Sequence, residues 1–228
     1  MNGDKKETFA GEPNGVTRSY GKIYVTNTGS RTDVFDAETY EFITCIGTGT
    51  WGEGGYQTVH AFDVTASQGA VFIRDKRKLV VVLEQDVQPG SAARVPIYSR
   101  SVNLQEAMGT YAVAARNDGF LYVTAQNKNM IYLFDPADIR AGDTGFAPYL
   151  VALGFEKSPQ SIAFVGDRLF VTLRVDDKRS ELWEISPKNG KLLQDFTDSM
   201  VYPEKIAGAR HTLLVVDRAT QTVKAIGL

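Results

Sequence analysis

Five copies of one short motif run through this sequence. A turn leads into a run of alternating aliphatic and aromatic residues. The copies are Gly21-Lys22-Ile23-Tyr24-Val25-Thr26-Asn27, Gly69-Ala70-Val71-Phe72-Ile73-Arg74-Asp75, Asp118-Gly119-Phe120-Leu121-Tyr122-Val123-Thr124, Gly166-Asp167-Arg168-Leu169-Phe170-Val171-Thr172 and, less clearly, His211-Thr212-Leu213-Leu214-Val215-Val216-Asp217. The matching aliphatic positions Ile23, Val71, Leu121, Leu169 and Leu213 are 48, 50, 48 and 44 residues apart. Each run reads as a short strand entered from a turn.

Each copy sits among other strand-like segments. Inner segments precede the copies at 15–19, 61–64, 111–114, 161–165 and 205–208. Further β-rich runs follow them, such as Leu79-Val80-Val81-Val82-Leu83 and Met130-Ile131-Tyr132-Leu133-Phe134. Hairpin turns then lead outward, and the Asn189-Gly190 pair suits the positive φ of a tight turn. A period in the forties with four short strands per repeat is the pattern of a propeller blade. The expected fold is therefore all-β, a β-propeller of five four-stranded blades in a single domain over 1–228. The blades would span roughly 12–50, 56–102, 109–154, 158–198 and 202–228. The last repeat ends after its third strand, and Glu7-Thr8-Phe9-Ala10-Gly11 is a spare strand at the other end. Residues 7–11 are expected to complete the last blade and close the ring, which hides two raw sheet edges. An open fragment of a larger propeller is the rival arrangement. One helical turn within 135–143 is the only helix signal, from Pro136 and Gly142.

Composition adds exclusions. A chain of 228 residues can bury a core without staples. With 25 basic and 27 acidic residues it lacks the basic excess that drives phosphate binding, so nucleic acid is not an expected partner. Arg74 with Lys76-Arg77-Lys78 reads as a solvated basic turn. The single cysteine, Cys45, lies in an apolar run and reads as a small core residue that can form no disulfide within the chain. No segment approaches the roughly 20 apolar residues of a membrane-spanning helix. The first residues lack the apolar stretch of a signal peptide.

Gly11-Glu12-Pro13-Asn14-Gly15-Val16, followed by Gly21 to Gly29 and Val34-Phe35-Asp36, resembles an NHL-type or YVTN-type propeller repeat. Arg116 to Val123 with Ile131-Tyr132-Leu133-Phe134-Asp135 resembles it equally well. The likeness spans nearly the whole chain, close in blades one and three and poor in blade five. It implies an architecture and no particular chemistry, since such propellers include protein-binding modules, surface proteins and a few lactonases or lyases. Asn2-Gly3-Asp4-Lys5-Lys6 also resembles the polar stretch after the lipidated cysteine of bacterial surface lipoproteins. That likeness implies a lipid anchor and an extracytoplasmic place at a bacterial cell surface, against the plainer reading of a frayed polar end.

In a propeller, the segments leading into the inner strands meet at one end of the central channel, where ligands gather. The side chains expected there are Glu12, Asn14, Gln57, His60, Tyr111, Gln160, Glu204 and Lys205, with Trp51 in the glycine-rich loop 47–55. Amides and tyrosines suit a polar ligand such as a sugar, whose hydroxyls donate and accept. Trp51 is either a stacking platform or an inter-blade packing residue. With two histidines and no metal-binding motif, no cofactor is expected, although oxygens of Glu12, Asn14 and Glu204 would suit calcium. No nucleophile elbow, phosphate loop or paired-cysteine motif is present. The sequence reads as a monomeric, non-catalytic binding or scaffold propeller for a protein or glycan partner. The alternative is a lactonase, lyase or glycan-processing enzyme, calcium-dependent or not, with its site at the channel mouth.

Overall fold

All five motif copies become the second strand of a small antiparallel sheet. A computed structural model describes residues 11–47, 60–75, 78–87, 98–103, 112–135 and 151–228. The chain divides into two compact units, one formed within 1–75 and 79–101, the other within 76–78 and 102–228.

The first unit carries two sheets. β1 (Pro13–Ser19), β2 (Lys22–Asn27), β3 (Arg31–Asp36) and β4 (Phe42–Ile46) pair in sequence order. So do β5 (Ala61–Ser67), β6 (Ala70–Asp75), β7 (Lys78–Leu83) and β8 (Tyr98–Asn103). The β1–β2 and β5–β6 hairpins each turn on two residues with positive φ, Tyr20 (52°) with Gly21 (70°) and Gln68 (48°) with Gly69 (74°). That is the twist-matched two-residue turn in which glycine at the second place costs least. The two hairpins are tied together where the Gly69 N–H donates to the Tyr20 hydroxyl at 2.6 Å. Between the sheets, Tyr24, Val34, Ile46, Val64, Val71, Ile73, Val80 and Val82 form one apolar cluster, none more than 3% exposed.

The second unit carries three sheets. The first joins β9 (Val113–Ala115), β10 (Leu121–Ala125), β11 (Met130–Phe134) and β12 (Val151–Gly154); the next joins β13 (Ser158–Val165), β14 (Arg168–Arg174), β15 (Ser180–Ile185) and β16 (Leu192–Asp195). The last holds β17 (Pro203–Ala209), β18 (Thr212–Asp217) and β19 (Thr222–Gly227). The expected completion of that sheet by residues 7–11 rests on residues outside those described. Strand β14 explains why a blade reads as continuously apolar. Leu169, Val171 and Leu173 enter a cluster with Tyr122, Ile131 and Ile162, while Phe170 turns the other way toward Leu213 and Val215. Both faces of β14 are thus buried, whereas among the aliphatic residues of β18 only Leu213 and Val215 are buried and Leu214 and Val216 are exposed.

Two expectations need correction. Arg74 is not in a solvated turn: β6 runs on through Asp75, and Arg74 is fully buried inside it. Burial holds its guanidinium below the ordinary value, while the adjacent Asp75 charge opposes that shift. Cys45 is only half-buried, because outer strand β4 turns Thr44 and Ile46 to the packed side and Cys45 to the other. The expected turn at 186–191 forms, with Gly190 at φ 71° donating its N–H to the Ser186 carbonyl at 2.9 Å. His211 lies exposed in the β17–β18 turn, as expected. The helical turn expected within 135–143 falls on residues that, beyond Asp135, are not described.

Candidate functional site

The inner strands do not begin in simple register. Pro13 pairs with Asn27, but the next pair is Gly15 with Thr26. The same slip separates Ala61–Asp75 from Asp63–Arg74, Pro159–Leu173 from Ser161–Thr172 and Pro203–Asp217 from Lys205–Val216. One residue in each strand is therefore left out of the ladder: Asn14, Phe62, Gln160 and Glu204. A bulge of this kind re-aims a side chain and often borders a site. Proline suits the place before it, having no N–H to leave unpaired. In the three motif copies that carry a threonine here, its hydroxyl accepts from the backbone where the inner strand begins. Thr26 Oγ1 accepts from Gly15 N–H at 2.9 Å, Thr124 Oγ1 from Ala112 at 3.1 Å and Thr172 Oγ1 from Ser161 at 3.0 Å.

Three of the expected site residues, Asn14, Gln160 and Glu204, are thus bulge residues. His60 is not their equivalent, since register gives that place to Phe62 and aligns His60 with Glu12 and Tyr202. The His60 N–H donates to Asp75 Oδ1 at 3.3 Å, and its ring lies 5.9 Å from that of Phe62. In the first unit, the Asn14 amide donates to the Ala61 carbonyl at 3.1 Å, tying β1 to β5. Glu12 is exposed, and its backbone is paired with Thr28. Trp51, Gln57 and Tyr111 lie outside the described residues.

In the second unit the structure gathers Gln160, Glu204 and Lys205 around one open cleft of about 380 Å3, where the inner strands begin and the second strands end. Residues that the sequence reading passed over complete it: Gln126, Arg174, Asp177, Tyr202 and Arg218. A signal for three of them exists. Gln126, Arg174 and Arg218 each stand two places after the motif's threonine position, at 124, 172 and 216. In the last two sheets, bulge and strand exit therefore deliver one side chain each to the cleft, Gln160 with Arg174 and Glu204 with Arg218.

Most charges in the cleft are already matched. Arg174 forms an ion pair with Asp177 in the β14–β15 turn. Arg218 Nη1 lies 3.3 Å from Glu204 Oε1, with its guanidinium 5.7 Å from the centre of the Tyr202 ring. Lys205 forms no ion pair among the described residues. Among the described residues, three cations face two carboxylates, so that part of the lining carries one net positive charge. Gln160 Oε1 is buried and has no hydrogen-bond partner among the described residues. A buried acceptor in that state is costly until a donor reaches it.

The wall is fixed from behind by Asp217. Its carboxylate accepts the N–H groups of Val201 at 3.1 Å and Tyr202 at 3.0 Å, and Lys224 Nζ lies 3.2 Å away. Burial alone would raise this carboxyl, but the two N–H donors and the Lys224 ammonium outweigh it and hold it at about 2. Asp75 serves the same place in the second sheet, holding the backbone of His60. Among the described residues, no group of three or more His, Cys, Asp or Glu side chains is placed to hold a metal ion. Of the three residues expected to suit calcium, Glu12 and Asn14 belong to the first unit and Glu204 to the second.

No known family's sequence profile matches the chain. None of the curated proteins is similar to it in sequence at a significant level. Solved structures are similar in fold. Virginiamycin B lyase from Staphylococcus aureus aligns with a TM-score of 0.59 at 12% identity, covering 97% of this chain and 71% of that one. The WD40 β-propeller domain of Doa1 aligns at 0.64 and 11%, covering 92% and 62%. A chain of the Nidogen/Laminin complex aligns at 0.64 and 16%, covering 96% and 77%. The chain is a five-bladed β-propeller. At these identities the likeness speaks for fold alone. An enzyme and a protein complex stand side by side among the propellers that resemble it, so chemistry must be argued from the cleft.

Proposed function

We propose that this propeller, of the NHL or YVTN kind, is a binding module that takes a glycan in the cleft of its last three blades. The observation that carries the reading is the lining itself: amides, guanidinium groups and carboxylates beside a buried acceptor, Gln160 Oε1, with no donor among the described residues. Sugar hydroxyls donate and accept at once and suit such a wall. A protein partner would want an apolar or aromatic anchor pocket at the centre of contact. The one aromatic ring here, Tyr202, is itself 4% exposed and stacked under Arg218. Both carboxylates are engaged by arginines, which suits holding a ligand better than proton transfer.

Calorimetric titration of the full chain with neutral and acidic oligosaccharides tests this. Binding of at least one sugar is expected, and Gln160→Leu should weaken it about tenfold, the size of one buried hydrogen bond left unmade. An absence of binding across the panel, or a Gln160→Leu protein that binds as well as the original, would overturn the reading. Conversion of the sugar to product during the titration would do so in favour of an enzyme.

A further inference from the structure

We infer that the sugar held in this cleft is acidic, a uronic-acid-type unit whose carboxylate lies on Lys205 and whose hydroxyl donates to Gln160 Oε1. The inference rests on the glycan reading and adds the charge of the ligand. It follows from counting which groups are already committed. Arg174 is held by Asp177 and Arg218 by Glu204, so neither guanidinium is offered whole to a ligand. Lys205 is left as the one lining cation without an ion pair among the described residues. It is half-buried at the start of β17, directly after the bulge. Glu204 and Lys205 are neighbours in sequence, and a regular strand would send them to opposite faces. The bulge breaks that alternation and lets both line one cleft.

The single uncompensated charge selects the kind of anion. A carboxylate brings one negative charge and neutralises the lining. A phosphate monoester would bring close to two and set the excess against Glu204 and Asp177. Gln160 adds the second requirement, a donor on the ligand within reach of the same cleft. A ring that carries a carboxylate and several hydroxyls meets both. At about 380 Å3 the cleft lies at the low end of the roughly 300–1,000 Å3 usual for ligand sites, so it suits a short segment of a chain.

The test compares a galacturonic acid trisaccharide with a galactose trisaccharide on the full chain by calorimetry. The acidic probe should bind about tenfold more tightly in low salt, the scale of one charge-assisted hydrogen bond. That preference should fade as salt is raised, because the pair is open to solvent. In Lys205→Gln the preference should vanish, because the acidic probe loses about tenfold more affinity than the neutral one, while the melting temperature holds; Lys205→Arg should keep part of the preference. Equal affinity for the two probes, or a preference that survives Lys205→Gln, overturns the acidic assignment and leaves glycan binding standing. Failure of both probes to bind removes the glycan reading and this inference with it.

Discussion

A single side chain can hold a wall of the cleft without lining it, and Asp217 is such a positioning residue. Its two oxygens take the N–H groups of Val201 and Tyr202, and its charge is met by Lys224 at 3.2 Å. The carboxyl sits at about 2 in the folded protein, against about 4 in an unfolded chain. Because the folded value is the lower one, the stabilisation is present above about pH 4 and is lost as pH falls toward 2. The difference corresponds to about 2–3 kcal/mol. Asp217→Asn should therefore remove about that much stability at pH 7 and flatten the acid limb of the stability–pH curve, as read by urea unfolding from pH 7 to pH 2. An unchanged acid limb would mean that other carboxylates carry it. Little of this was legible beforehand. Asp217 appeared in the sequence only as the last residue of a weak motif copy, and Arg74, one residue before the matching Asp75 of the second copy, was read as solvated because a charge in sequence signals water. The interior of a propeller sheet can bury such a charge at the strand end, and nothing in the neighbouring residues announces that.

Strands were far more legible than what joins them to the site. The two-residue alternation and the repeat spacing located all five central strands, since a strand packed between two sheets must be apolar on both faces. The bulges were hidden, because a proline followed by a polar residue looks the same as a turn leading into a strand. Once the bulges are known, Asn14, Gln160 and Glu204 fall into one structural position, and His60 drops out of it. The close approach of inner strands is another property of the element rather than the residue. A Cβ placed on Gly208 in β17 would meet the Phe164 carbonyl oxygen of β13 at 1.8 Å, and one on Gly15 in β1 would meet Asp63 Cα of β5 at 2.7 Å. Glycine is needed at 208 for space, so that the backbones of β13 and β17 can run side by side. Gly208→Ala should force them apart at a cost of about 1–3 kcal/mol or more. In a chain of this size that lowers the melting temperature by roughly 2–4 °C per kcal/mol. Glu204 and Lys205 ride on β17, so sugar affinity should fall as well. A Gly208→Ala protein with native melting temperature and native affinity would show that β17 does not need this approach.

For the molecule as a whole, the question is what keeps five small sheets folded when no disulfide can form within the chain. One cysteine in 228 residues excludes a covalent staple, and 25 basic against 27 acidic residues leave little net field to help or to hinder. Exposed ion pairs such as Arg218 with Glu204 contribute at most about 1 kcal/mol each. The stabilising term that remains is apolar burial, which among the described residues draws on a cluster in the first unit and two in the second. Leu169 is fully buried in one of these, so Leu169→Ala should leave a cavity and cost about 2–5 kcal/mol. Ile73 holds the matching role in the first unit and should cost a similar amount when changed to alanine. If burial dominates, the melting temperature of the unaltered protein should be insensitive to reductant and only weakly sensitive to moderate sodium chloride, while each core variant melts well below it in every buffer. A melting temperature that drops steeply with added salt would instead show that charge pairs carry the fold. It would also change how the cleft is read, because the Arg174 and Arg218 pairs would then belong to the stability of the sheets rather than to the shaping of a binding site. Weak salt dependence of melting alongside strong salt dependence of acidic-sugar binding would separate the two roles, with the apolar clusters holding the blades and Lys205, the lining cation without an ion pair among the described residues, choosing the ligand.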